Sequence, residues 1–177
     1  IGALARQLVM TDNGNLFLTL YDDRYEDVRE LWTENGDWAD CLVPPLIVAM
    51  RQAGRSGEAR ELRDRFAADI GKLAAEGDST SSLLVWRAEL AALDGNSTLA
   101  ARSLDAAVSA GWKGEGAYRV GFDADRDPVF ALVRGDPQMQ RAIARRRAAA
   151  AAEAASLKKL NLLQRPWASA ARLSRPG

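Results

Sequence analysis

The sequence predicts an all-α protein: stacked antiparallel helix pairs, closed by a short helix and a long C-terminal helix. Three observations lead there. Apolar residues recur at helical spacing along most of the chain. Short polar turns break that pattern and it resumes at once, at Asp23–Val28, Gly54–Ala59 and Gly95–Ala100, each with a turn residue five positions before a small or medium apolar one. The composition, rich in alanine with only 7% aromatics, suits close helix packing better than a sheet.

The chain has 177 residues, 47% hydrophobic and 27% charged, which is the profile of one soluble globular domain. No apolar run approaches the roughly 18 residues needed to span a bilayer. Residues 1–12 read as the end of a helix begun upstream, and Ile1–Arg6 lacks the charged and apolar regions of a secretory leader. Cytoplasm and periplasm both stay open. The single cysteine, Cys41, rules out an internal disulfide framework and, beside Leu42 and Val43, reads as a small buried residue.

Residues 13–110 hold three helix pairs. In the first, Leu16, Phe17, Leu20 and Tyr21 lead to the acidic turn, and Tyr25, Val28, Leu31 and Trp32 follow it. The second opens at Pro44-Pro45, tolerated because the first helical turn needs no donor; Leu46, Ile47 and Met50 form its first apolar face. Ala59, Leu62, Phe66, Ile70 and Leu73 mark a longer partner helix ending near Gly77. The third starts at the cap candidates Ser79–Ser82 and carries Leu84, Trp86, Ala88, Leu90 and Ala91. After Asp94-Gly95-Asn96, its second helix carries Ala100, Leu104, Ala107 and Val108.

A glycine-rich connection covers 111–126. Two Asp-Pro steps, at Asp127 and Asp136, then flank Val129–Gly135; each supplies an N-cap acceptor and a proline pre-set for a first turn. They predict a helix of one or two turns abutting a long helix from Pro137 to about Leu160, with Met139, Ile143 and Leu157 inward. Residues 161–177 read as a tail with Trp167 as an anchor.

These pairs resemble the tetratricopeptide (TPR) repeat, a 34-residue helix-turn-helix unit. The matching residues are Leu84, Ala88, Gly95, Ala100, Leu104 and Ala107 in the third pair, and Ile47, Met50, Gly54 and Ala59 in the second. The turn spacings, 31 and 41 residues, depart from the family period; the second exceeds it by about two helical turns, which lengthens a helix and keeps its buried face. Ile47 and Val28 also stand where the family has small residues. The Gly111-Trp112 step and the doubled Asp-Pro segment are similar to the segment that closes such arrays in bacterial multidomain signalling proteins. The resemblance implies a groove lined by the first helix of each pair, at Val48, Arg51 and Gln52 and at Val85, Glu89 and Ala92. Such a mixed lining suits an extended peptide or partner helix; the alternative is that these residues only pack against neighbouring helices.

The chain has no histidine and no nucleophile elbow, phosphate loop or zinc motif, so a non-catalytic protein with no cofactor is expected. Asp123, Asp125 and Asp127 imitate a calcium loop, but Pro128 and Arg134 stand where it needs glycine and glutamate, which makes capping and turn roles the expectation. Residues 1–50 carry nine acids against three arginines, and residues 138–177 nine bases against one acid, an asymmetry open to head-to-tail association. Within the basic end, Arg141, Arg145, Arg146 and Arg147 define a basic surface. The leading expectation is a protein-interaction module, the C-terminal part of a larger bacterial signalling or regulatory protein. The alternative is a nucleic-acid-binding helical domain using those arginines, which lack interleaved aromatics for stacking on bases.

Overall fold

The computed structural model describes residues 8–9, 11, 13–23, 42–112 and 124–159. The second helix of the first pair, Cys41, Trp32, Trp38, most of the glycine-rich connection, the tail with Trp167, residues 1–7 and the Leu157 side chain lie outside them. The described residues form an all-α fold with six helices packed against their neighbours and no strand. They are α1 (Gly14–Asp23), α2 (Val43–Gln52), α3 (Ser56–Ala75), α4 (Ser81–Leu93), α5 (Ser97–Ser109) and α6 (Pro137–Lys159), with a 3-10 turn at Pro128–Phe130 before α6.

The helices start and stop where local chemistry dictates. Thr80 caps α4 by accepting from the Leu83 N–H, Asn96 caps α5 through Leu99, and Asp127 caps the 3-10 turn through Val129. Four successive helices, α2 to α5, then end in one way. Gly54, Gly77, Gly95 and Gly111 take positive φ, and the residue after each donates its N–H to a carbonyl five residues back, as in Arg55 to Met50 and Asn96 to Ala91. This left-handed closure occupies carbonyls that the helix end leaves without partners.

Pairs α2–α3 and α4–α5 each turn within three residues, so their helices run antiparallel. The extra length expected between the second and third turns lies in α3, whose 20 residues bury one stripe: Ala59, Leu62, Phe66 and Ile70. The inward face of α1 is rotated from the one expected. Phe17 and Leu18 are buried while Leu16 and Leu20 are exposed. The helix is apolar on several sides, so spacing alone could not choose; what decides is the approach of Gly14, where a Cβ would lie 3.2 Å from Gln52 Oε1 and 3.6 Å from Ala49 Cβ of α2.

Helices α1, α2 and α4 form one row in which each contacts the next, and α3 and α5 lie behind it. Helix α4 is central, packed against α2, α3, α5 and the 3-10 turn. Helix α6 lies parallel to α5. Ser97 donates to Asp136 at 3.0 Å across 39 residues, and Arg145 to Asp105 at 2.9 Å across 40, so partners advance together along both helices. Gly135-Asp136 follows Gly95-Asn96 by 40 residues, as Gly95 follows Gly54 by 41, but Gly135 lacks the positive φ of the other two and the Asp136 N–H bonds only three residues back, so the turn geometry is not repeated. Helix α6 thus packs along α5, and the 3-10 turn Pro128–Phe130 precedes it. That turn bends back onto α2 and α4, burying Val129 and Phe130.

Candidate functional site

Two surfaces follow from the sequence: the row of first helices and the basic face of α6. On the first, α2 turns its apolar side inward at Leu46, Ile47, Ala49 and Met50, which leaves Val48 half-buried and Arg51 and Gln52 exposed. Arg51 donates to the Leu93 carbonyl at 2.7 Å, placing a cation on the C-terminus of α4, where the helix dipole favours it. Gln52 lies against Gly14 of α1.

The α4 half of the expected lining is closed. Val85, Glu89 and Ala92 are each 0% exposed. The physical reason is the central place of α4: a helix with neighbours on all sides buries nearly its whole circumference. These three residues therefore pack between helices, and the crease between α2 and α4 receives Pro128–Phe130 of the same chain.

Along the edge where the turns lie, arginines tie each unit to the next. Arg55 bonds Asp22 at 2.9 and 3.0 Å and Glu58 at 2.8 and 2.6 Å. Its guanidinium holds the Glu58 carboxyl below the usual carboxylate range. Arg63 grips Asp94 through two nitrogens, one at 2.9 Å, and bonds Asp64 at 2.9 Å. These exposed pairs set register more than stability. Sequence spacing gave no sign of them, because their partners lie 31 and 33 residues apart.

The four basic residues of α6 have different surroundings. Arg145 forms a bidentate pair with Asp105 of α5, Arg147 pairs with Asp125, and the Arg146 guanidinium lies 5.9 Å from the centre of the buried Trp112 ring. Arg141 alone of the four has no hydrogen-bond or ion-pair partner among the described residues. Three of the four thus fasten α6 to the chain before it, one of them to α5 itself. Asp125 and Asp127 are likewise engaged: Asp127 is buried and caps Val129, and Arg134 donates to its carbonyl at 2.8 Å. No group of acids, cysteine or histidine that could hold a metal ion occurs among the described residues, and no described helix is long and apolar enough to cross a membrane.

No family model, curated protein or solved structure matches this chain.

Proposed function

We propose that this chain is a TPR-like, non-catalytic module that mediates protein contacts, within or between polypeptides, as part of a larger bacterial signalling or regulatory protein. One observation carries the reading: the crease between the first helices α2 and α4 takes in another segment of polypeptide, Pro128–Phe130, along its apolar side. A row of parallel helices with such a crease is suited to protein segments, which bring their own apolar anchors. The rim left on α2, half-buried Val48 with exposed Arg51 and Gln52, is where a partner would continue that contact. Engagement of Arg145, Arg146 and Arg147 within the fold supports this reading over nucleic-acid binding through the four α6 arginines, of which only Arg141 is left without a hydrogen-bond or ion-pair partner among the described residues.

Affinity capture with the full chain, followed by reconstitution from purified components, tests the proposal. A purified partner whose affinity drops about tenfold on combined Arg51→Ala and Gln52→Ala substitution is the expected result. Turnover of a small molecule by the chain, with no purified protein binding it, would overturn the reading.

A further inference from the structure

The parallel packing of α5 and α6 opens a cleft of about 300 Å³ between their first turns. Its walls carry Thr98, Arg102 and Asp105 from α5 and Gln138, Arg141 and Arg145 from α6. Asp105 is already held by both nitrogens of Arg145, which fixes that guanidinium in the wall. Arg102 and Arg141 are exposed, and neither has a hydrogen-bond or ion-pair partner among the described residues. Outside the cleft lining, the Asp136 carboxylate accepts from the Gln138 and Met139 N–H groups and from Ser97 Oγ, and it also feels the charge of Arg141.

A second cleft, at Arg51, Ser56, Arg60, Arg63, Asp64 and Asp94, makes the contrast. There Arg51 is bound to a helix carbonyl and Arg63 to two carboxylates, which leaves Arg60 as the one arginine of that cleft without a hydrogen-bond or ion-pair partner among the described residues. In the α5–α6 cleft three guanidiniums converge with one carboxylate among them, a formal excess of two positive charges. Arg102 and Arg141 line one recess and repel each other, and Asp136 feels Arg141 only through its charge, with no ion pair formed between them. The excess matches a phosphate monoester dianion, whose three terminal oxygens accept the forked donors of arginine, with the Thr98 hydroxyl and Gln138 amide as further donors.

We infer that the cleft between α5 and α6 is a binding site for a phosphate monoester, held chiefly by Arg102 and Arg141 with Arg145 as a fixed wall. The inference deepens the protein-contact reading, on which it rests for the carrier of the phosphate; recognition of the oxyanion itself does not depend on that reading. The Asp105 carboxylate is already paired with Arg145, so it opposes an incoming anion less than a free carboxylate would.

The test is titration of the full chain with inorganic phosphate, with a phosphoserine peptide and with the same peptide unphosphorylated, following arginine Nε–H resonances and binding heat. Phosphate in either form is expected to shift the Arg102 and Arg141 signals, with binding that weakens as salt rises. Arg102→Gln and Arg141→Gln should each weaken it about tenfold, in keeping with loss of one charged hydrogen bond. Arg87→Gln, an exposed change on α4 outside the cleft, should leave it intact. Tighter binding of the phosphopeptide than of inorganic phosphate identifies a protein-borne group; equal binding identifies a free phosphate compound, and the site stands while the protein-contact reading loses its support here. Absence of any shift with all three titrants overturns the inference, as does binding that survives both cleft substitutions. Both changed side chains are exposed and unpaired, so folded variants are expected, and circular dichroism checks this.

Discussion

At the scale of single residues, the glycines divide into those that a turn requires and those that a helix tolerates. Gly95 has φ +71°, and a Cβ there would meet nothing within 4 Å, so the cost of a side chain is backbone strain alone. Gly95→Ala should destabilise the protein by about 1 kcal/mol. Gly71 lies inside α3, also in open space, but with ordinary helical backbone. Gly71→Ala should stabilise by about 0.5–1 kcal/mol. Urea unfolding of the two variants beside the parent checks both signs; a matching loss at the two positions would refute the distinction. Glu89 teaches the opposite lesson about reading residues one at a time. A charged residue in a helical pattern reads as outward-facing, yet here it is wholly buried, because the neighbours of α4 surround it irrespective of its own side chain.

At the scale of elements, the caps make the sharpest prediction. Gln138 N–H foremost, then Ser97 Oγ, and further the Met139 N–H and the charge of Arg141, hold the Asp136 carboxyl below its usual 3.8 against the opposing effect of desolvation. The unfolded chain therefore binds this proton at a higher pH than the native one does. The stabilisation is complete above about pH 4 and is lost as pH falls through the lowered native value. Asp136→Asn keeps a capping oxygen but removes the titration, so its melting temperature should decline less steeply than the parent's between about pH 4 and pH 2. Parallel slopes in thermal melts across that range would show that the cap does not titrate as described.

Element ends were legible in the sequence for the same reason. Thr80, Asn96, Asp127 and the glycines at 54, 77 and 95 are local signals, and the structure uses each near its expected position. The buried stripes of α3 and α5 were legible too, since each helix has one apolar side. The face of α1 was not, because Leu16, Phe17, Leu18, Leu20 and Tyr21 allow several orientations and only packing against α2 selects one. The arginine ties at the turn edge and the cleft between α5 and α6 depend on residues brought together from 31 to 40 positions apart, which no local pattern encodes.

At the scale of the whole molecule, the 3-10 turn is the part that joins the end of the array to its middle. Phe130 is fully buried, and the turn contacts α2 as well as α4. Phe130→Ala should cost about 3–5 kcal/mol, read as a lower urea midpoint in the full chain. If the turn were only an outer ornament, the loss would stay below about 1 kcal/mol. The spacing of 40 to 41 residues from Gly54 to Gly95 to Gly135 also becomes visible only at this scale, although Gly135 does not take the left-handed conformation that ends the earlier helices.

The return of Pro128–Phe130 onto α2 has a kinetic meaning. Helices joined by three-residue turns meet partners close in sequence, so their pairing closes short loops and forms early, whereas the turn must come back across about 80 residues before its contacts form. Assembly pair by pair, with this turn fastening last and loosening first, is the order expected from the topology, and hydrogen exchange that frees the Ala131 amide before those of α4 would match it.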